Sequence, residues 1–330
     1  MGTMSLAQLG RLLRLAFGQD SPPSQFLPPA IGVPAADSLM RDAYPDDESL
    51  PPQAMGAYLA WLVGVDDILS EHPPKKPEAL IQAADAEINA KGCCTRLLRR
   101  SPTVLPRLIR LLRNETYTTA ELAQHIEQDI VLAAEVMRMA RSALYAHLGG
   151  ATLDLRQAAG VLGSSGVEQV MARVLLWPLY RSDSSALQAC SAARLWEESE
   201  RCATACVLIA RTKGIDTFDA YVAGLLQNAG WSALLRVFEL HRVEAALHPV
   251  TLSHERWQLA LLQRRDQLLS RLIPAWQLSA GLTATARALD PETSAPATPL
   301  GEVVRAAQAQ IMRKRLRELV WEPSTEVITW

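Results

Sequence analysis

The chain has 330 residues, of which 49% are apolar and only 5% are aromatic, and its formal net charge at pH 7 is -2. This length allows one large domain or two smaller ones, and the apolar fraction is ample for a hydrophobic core. The lack of a basic excess argues against a protein whose main partner is nucleic acid, and the lack of a run of about 18 apolar residues argues against a transmembrane helix.

Residues 1–100 are predicted to form a helical extension that a proline-rich segment interrupts. The opening stretch "MGTMSLAQLGRLLRLAFG" has apolar residues at helical spacing with interleaved arginines, which predicts an amphipathic helix that docks on protein, with membrane-surface attachment as the alternative. Residues 21–52 hold eight of the twenty prolines and are expected to be extended. Helical patterning resumes in "QAMGAYLAWLVGVDDILS" and "PEALIQAADAEINAKGCCTRLL". These apolar faces are too small to form a core alone, so we expect the extension to pack on the rest of the chain.

From residue 101 onwards the pattern predicts a succession of helices. "LRQAAGVLGSSGVEQVMARVLLWPLY" is typical of two helices around a glycine-serine turn, and "SAARLWEESERCATACVLIARTKG" of one long helix that ends at Gly214. Asp216 is placed to cap the next helix, "TFDAYVAGLLQNAG", and the last strong helix covers residues 300–319. Abundant Ala and Leu and few β-branched runs complete the prediction of an all-α fold.

The order of these segments resembles a known family. "LPRLIRLLRNE", "TTAELAQHIEQDIVLAAEVMRMARSALY", "LRQAAGVLG", "LWEESERCATACVLIA" and "AYVAGLLQNAG" follow one another as in the HD-related output domain, HDOD, an all-helical signalling module related to the HD metal-dependent phosphohydrolases. The resemblance implies an HDOD domain at about residues 101–290, preceded by the extension and followed by a C-terminal helix and tail, 291–330, that packs on the core.

The resemblance also implies that the metal site of the HD enzymes is degenerate in this chain. Their His-Asp pair falls within the frame Ala-Gly-Leu-Leu-x-x-x-Gly, where this chain has Gln227 and Asn228, and an upstream histidine would fall on Glu198. Histidines and carboxylates hold the divalent metal that activates water for attack on phosphorus, and neutral amides cannot replace them. We therefore expect no metal, no cofactor and no catalytic residue at these positions.

The remaining histidines and cysteines do not suggest another metal centre. His241, His248 and His254 are close in sequence, but their spacing matches no usual ligand pattern. Cys202 and Cys206 lie four residues apart on one helix face, with no further pair to complete a zinc set, and are expected to pack in the core. Five cysteines in all, without the density of a disulfide scaffold, favour a cytoplasmic protein with reduced thiols.

A basic stretch marks the start of the HDOD-like region. Residues 96–113 contain no acidic residue, and their arginines form either a solvated helix face or a docking site for a partner protein, a nucleotide or another anionic ligand. The arginines concerned are Arg96, Arg99, Arg100, Arg107, Arg110 and Arg113.

The resemblance implies a non-catalytic regulatory output module that acts through contacts with signalling proteins or a small ligand. A first alternative is a metal-dependent phosphohydrolase or cyclic-dinucleotide phosphodiesterase with a rearranged site, which predicts stoichiometric metal and chelator-sensitive hydrolysis. A second alternative is a nucleic-acid-associated regulator that uses the 96–113 arginines, which predicts strongly salt-dependent binding.

Overall fold

The computed structural model describes residues 52–66, 76–90, 97, 136–137, 155–180, 186–290 and 293–321. All regular secondary structure in these ranges is helical, which confirms the predicted all-α class. Two short 3-10 helices cover Trp177–Leu179 and Glu244–Ala246. The α-helices are α1 (Pro52–Leu62), α2 (Glu78–Asn89), α3 (Leu155–Leu176), α4 (Ala186–Lys213), α5 (Thr217–Leu226), α6 (Ala229–Leu240), α7 (Pro249–Ser253), α8 (Glu255–Ala275), α9 (Ala280–Arg287) and α10 (Pro299–Trp321).

Several predicted helix boundaries are confirmed by their local geometry. α3 is two helices joined at a kink, where Gly163 has φ 64° and ψ −178°, a conformation that non-glycine residues rarely adopt. α4 ends before Gly214, whose φ of 65° is the left-handed conformation of a helix C-cap. The side chain of Asp216 accepts a hydrogen bond of 2.7 Å from the backbone N–H of Asp219 and so caps α5.

The long helix α4 contacts α1, α5, α6 and α10. It packs most closely on α5. A Cβ atom at Gly224 of α5 would lie 2.4 Å from Cα of Ala203 in α4, so only glycine allows the two backbones to approach this closely. Trp196, near the middle of α4, is fully buried and makes edge-on ring contacts with Trp177 and Tyr180.

The helices at the two ends of the described chain pack against the same region of the core. α1 contacts α4, α7, α8 and α10, and α10 in turn contacts α4, α5 and α9. α2 packs on α6 and α8. α1 of the N-terminal extension and the C-terminal helix α10 therefore meet over α4.

Some sequence predictions lie outside the described residues. They include the amphipathic helix at the start of the chain, the proline-rich segment before Pro52, most of the segment 118–145, and the 96–113 arginines Arg96, Arg99, Arg100, Arg107, Arg110 and Arg113. Among the helices that the structure describes, none combines the length and the apolar character needed to cross a bilayer.

Candidate functional site

The three residues that the sequence analysis assigned to a degenerate metal site line one cavity of about 130 Å³. Glu198 lies on α4, and Gln227 and Asn228 form the connection between α5 and α6. The close packing of α5 on α4 at Gly224 holds this connection beside Glu198. Residues about 30 positions apart in sequence thus face a common space.

The two amides at the α5–α6 connection are buried and bonded to each other. Nε2 of Gln227 donates to Oδ1 of Asn228 at 3.1 Å, and Nδ2 of Asn228 donates to the backbone carbonyl oxygen of Leu195 at 3.3 Å. Gln227 is only 9% exposed and Asn228 only 1%. Oε1 of Gln227 is buried and accepts no hydrogen bond from any residue in the described part of the chain. A buried acceptor of this kind is destabilising by about 1–3 kcal/mol unless something donates to it.

Glu198 is 1% exposed, and an arginine from the C-terminal helix neutralises it. Nε and Nη2 of Arg315 in α10 donate to Oε1 of Glu198 at 3.0 and 2.9 Å, and the hydroxyl of Tyr58 in α1 donates to Oε2 at 3.4 Å. Burial raises the pKa of Glu198, and the guanidinium of Arg315 partly opposes this shift. The carboxylate is therefore held by groups of this protein on both oxygens.

Arg315 is the centre of a larger ion-pair network at the same end of the cavity. Its guanidinium also contacts Glu197 at 2.6 Å and Glu318 at 2.8 Å, and Arg201 bridges the same two carboxylates at 2.9 and 3.2 Å. Nearby acids raise the pKa of Arg315 against the opposing effect of burial, so it stays charged. α4 and α10 are thus joined by several charged contacts that are partly shielded from solvent.

Trp61 of α1 adds an aromatic surface to this network. The guanidinium of Arg315 lies 4.3 Å from the centre of its ring system and that of Arg194 lies 5.5 Å from it, both within the range of a cation–π interaction. Nη1 of Arg194 also donates to the backbone carbonyl oxygen of Trp61 at 2.7 Å. The contacts of Trp61 tie α1 to both α4 and α10.

The rest of the cavity wall is mainly apolar, and its second charged group is also paired. Arg265 of α8 lines the cavity, and its Nε and Nη2 donate to Oδ1 of the neighbouring Asp266 at 2.9 and 2.6 Å. Burial raises the pKa of Asp266, with Arg265 opposing the shift. The aliphatic and thioether side chains of the wall come from α1, α8 and α10: Met55, Leu59, Leu62, Leu262, Ile311 and Met312.

The three histidines that are close in sequence have different positions and contacts in the structure. Nε2 of His241 lies 3.4 Å from Oε1 of Glu87 in α2, while Nδ1 of His248 accepts from the backbone N–H of Val250 and caps α7. His254 forms the junction between α7 and α8. In the part of the chain that the structure describes, no three His, Cys, Asp or Glu residues are grouped so that they could hold a metal ion. The expected core position of Cys202 and Cys206 is confirmed, since both are buried.

The donor set at the cavity does not fit the divalent metal of an HD phosphohydrolase. Gln227 and Asn228 offer neutral amides, and their polar atoms are largely engaged with each other and with the backbone. Glu198 is the one carboxylate that lines the cavity among the described residues, and Arg315 already neutralises it. A divalent metal prefers several imidazole or carboxylate ligands, so we derive no metal-dependent step from this site.

Sequence reasoning missed Arg315, Tyr58 and the other contributions of α1 and α10. Arg315 belongs to a basic run, Arg313-Lys314-Arg315, near the end of the last helix, where cations are also favoured by the helix dipole. A signal was nevertheless present, because Ala307, Ile311 and Arg315 recur at a spacing of four and so share one face of α10. An arginine on an apolar helix face needs a buried acid, but the sequence alone gives no means of choosing Glu198 as that acid.

Comparison with protein families identifies the class to which this fold and site belong. The model of the HDOD domain matches residues 98–290, which is more than half of the chain. The chain therefore belongs to the HDOD domain family, and the resemblance noted in the sequence is confirmed. α1 and α10, which complete the cavity, lie outside the matched range.

Three solved structures have a similar fold. An HDOD domain protein of unknown function from Geobacter sulfurreducens has a TM-score of 0.53 at 22% identity, covering 76% of this chain and 83% of its own. A protein from Shewanella amazonensis, provisionally named a metal-dependent phosphohydrolase, has a TM-score of 0.50 at 18% identity, covering 72% and 90%. A provisionally named signal transduction protein from Marinobacter aquaeolei has a TM-score of 0.49 at 22% identity, covering 74% and 56%. At these identities the likeness concerns the fold alone, and no curated protein matches the chain.

Proposed function

We propose that this chain is a non-catalytic regulatory module of a cytoplasmic signalling pathway, which acts through contacts with partner proteins or a small ligand. Membership of the HDOD family supports a role in signalling. The observation that carries the proposal is that the polar and charged side chains at the cavity are bonded to one another. Glu198 is paired with Arg315, and the positions of the former His-Asp pair hold two amides bonded to each other.

This arrangement is poorly suited to hydrolysis of a phosphate ester. Such chemistry needs a group that generates hydroxide from water, for which the HD enzymes use a metal ion, and it needs positive charge that is free to stabilise the transition state. Arg265 lines the cavity and Arg315 contacts Glu198 at its wall, and both already neutralise carboxylates within the protein. A substrate phosphate would have to displace one of these carboxylates and leave it buried without a partner.

An activity assay tests the proposal against the rival enzymatic function. The full chain is incubated with cyclic dinucleotides, nucleoside triphosphates and a chromogenic phosphodiester, each with Mn²⁺ or Mg²⁺ and each with excess chelator. We expect product formation at the rate of the protein-free control in every mixture. Turnover that rises with protein concentration and is abolished by the chelator would establish the phosphohydrolase instead.

Capture of partners tests the regulatory role itself. The full chain is immobilised and exposed to lysate of its native organism, in parallel with a variant in which Arg107, Arg110 and Arg113 are replaced by glutamine. If the basic stretch is a docking site, partner proteins bind the native chain and are reduced in the variant. Equal capture by both chains would assign these arginines to a solvated helix face.

A further inference from the structure

The helix α2 is an acidic amphipathic helix that covers part of the HDOD core. Its 12 residues include three acids and no basic residue, and its apolar side chains Leu80 and Ile88 are buried. α2 packs on α6, on α8 and on the 3-10 helix that follows α6. These three elements lie within the residues that match the HDOD family, whereas α2 lies before them. We call the surface of α6 and α8 that α2 covers the α6–α8 groove.

Each acid of α2 faces a basic group of the core. Nε and Nη2 of Arg264 in α8 donate to the two carboxylate oxygens of Asp85 at 2.9 and 3.0 Å, a bidentate contact. The other two pairs are Glu87 with His241 at 3.4 Å and Glu78 with Arg256 at 4.0 Å. The charges of the groove therefore complement those of an acidic helix.

The attachment of α2 depends on few apolar contacts and on partly exposed charges. α2 buries two large apolar side chains, Leu80 and Ile88, and two of its three ion pairs have a carboxylate that is 43% or 57% exposed. Lys76, just before the helix, has a φ of 71°, a left-handed conformation that is unfavourable for a residue with a Cβ atom. Pro77 at the N-cap provides no side-chain hydrogen bond to the first amides. Release of α2 would thus break a modest contact and relieve the conformation at Lys76.

From these contacts we infer that the α6–α8 groove is an interaction surface for an acidic amphipathic helix of a partner protein, and that α2 occupies it in the isolated chain. The partner helix carries acids at the positions of Asp85 and Glu87 and aliphatic side chains at those of Leu80 and Ile88. This inference rests on the proposed function, because it assigns a surface to the partner contacts of the regulatory module. The partner helix binds in exchange for α2, so the N-terminal extension competes with it.

A peptide with the sequence of residues 76–90 serves as the partner helix in the test. Its dissociation constant is measured by fluorescence anisotropy with the full native chain and with the variant Asp85→Arg, which places a guanidinium opposite Arg264 and weakens the docking of α2. We expect the variant to bind the peptide at least about tenfold more tightly than the native chain, whose groove is filled. Equal affinity of the two chains, or no binding to either, would overturn the assignment.

Two further variants show whether the peptide binds in the groove. Asp85→Arg/Arg264→Asp restores opposite charges between α2 and the groove, so this chain should bind the peptide as weakly as the native chain does. Asp85→Arg/Arg305→Asp makes the second change at an exposed position of α10 and should keep the gain in affinity of Asp85→Arg. Tight binding to both double variants would place the peptide outside the groove, contrary to the inference.

Hydrogen exchange of the native chain tests the release of α2 without any substitution. The opening equilibrium constant of the α2 amides should exceed that of the α4 amides by at least about 100-fold and should change little at low urea concentrations, as expected for a local opening. If the α2 amides exchange only through global unfolding, α2 is a fixed part of the core and the inference is wrong.

Three other outcomes separate the inference from its alternatives. If the native chain dimerises with rising concentration while Asp85→Arg stays monomeric, the groove takes α2 of a second copy and the assignment to a partner is wrong. Peptide binding together with chelator-sensitive hydrolysis of a phosphodiester would support the groove as a helix-binding surface and overturn the regulatory function. Absence of both peptide binding and hydrolysis would overturn the groove and leave the non-catalytic function standing.

Discussion

Ionisation of Glu198 is coupled to folding, because the side chain is exposed in the unfolded chain and buried in the folded one. Burial raises the pKa of Glu198 in the folded state. The folded protein therefore keeps this proton over a pH range in which the unfolded chain has released it. The resulting contribution to stability is complete below the unfolded pKa, about 4.3, and is lost as the pH rises through the folded pKa.

The substitution Glu198→Gln removes this titration. Relative to the native chain, the free energy of unfolding of the variant should increase as the pH rises from about 4 towards neutrality, by about 1.4 kcal/mol for each unit by which folding raises the pKa. Urea unfolding at several pH values measures the difference. Glu302→Gln, at a carboxylate whose side chain is 57% exposed, is the control and should give a nearly constant difference. A constant difference for Glu198→Gln as well would show that its pKa is not raised.

Arg315 supplies the buried charge on which Glu198 depends. Arg315→Met keeps the length of the side chain and removes the cation, so Glu198 is left with the hydroxyl of Tyr58 as its described side-chain donor. We expect the free energy of unfolding to fall by about 3 kcal/mol in urea denaturation at neutral pH, as for other buried pairs that lose one partner. The matched control is Arg305→Met at an exposed position of the same helix, which should cost less than about 0.5 kcal/mol.

A second substitution checks the cause of this loss. Glu198→Gln introduced into the Arg315→Met background removes the uncompensated carboxylate and should restore part of the stability. Equal stability of Arg315→Met and Arg305→Met would mean that the ion pair is not important for the fold.

At the scale of elements, α1 is held to the HDOD core by a close backbone contact. A Cβ atom at Gly56 would lie 2.6 Å from the backbone carbonyl oxygen of Leu252 in α7 and 3.1 Å from Cα of Ser253. α1 and α7 therefore approach each other through a position where only glycine fits. This contact places Tyr58 and Trp61, farther along α1, at the cavity and the Arg315 network.

Alanine substitutions at two glycines test this contact. Gly56→Ala should lower the free energy of unfolding by about 1–3 kcal/mol, because the backbone of α7 has to move. Gly160→Ala in α3 has no neighbouring atom within 4 Å of the new Cβ and should be neutral or stabilising by up to about 1 kcal/mol, as expected for alanine in a helix. Thermal and urea denaturation measure both. A Gly56→Ala variant as stable as Gly160→Ala would show that α1 does not pack tightly on α7 in solution.

The local features of the helices could be predicted from the sequence, because they depend on neighbouring residues. Gly214 and Asp216 mark the end of α4 and the start of α5 through conformations and hydrogen bonds that involve only a few positions. The connection at Gln227 and Asn228 also depends on neighbouring residues, since it lies within the short pattern Ala-Gly-Leu-Leu-x-x-x-Gly.

The complete site could not be predicted, because its partners are far apart in the chain. Glu198 and Arg315 are separated by 117 residues, and Tyr58 and Glu198 by 140. The composition of α10 shows that Arg315 lies on an apolar face, but pairing it with Glu198 requires the packing of α10 on α4. The contribution of α1 could not be predicted either, because α1 lies before the residues that match the HDOD family.

At the scale of the whole molecule, the HDOD core and two helices outside the matched residues, α1 and α10, line one cavity. Among the described residues, the charged side chains that line this cavity are Glu198 and Arg265, and both are paired within the protein. The two helices come from opposite flanks of the matched residues, α1 from the N-terminal side and α10 from the C-terminal side. The pairing of Glu198 with Arg315 is the feature of the whole molecule that supports the proposed regulatory function.

The metal content of the full chain tests the proposed function most directly. The protein is produced in medium supplemented with manganese, iron and zinc, purified without chelators or an affinity tag that binds metals, and analysed by inductively coupled plasma mass spectrometry. The proposed function predicts far less than one equivalent of any divalent metal per chain, in native protein and in Arg315→Met alike. One or two equivalents of manganese or iron in the native chain, lost on substitution of Glu198, would contradict it.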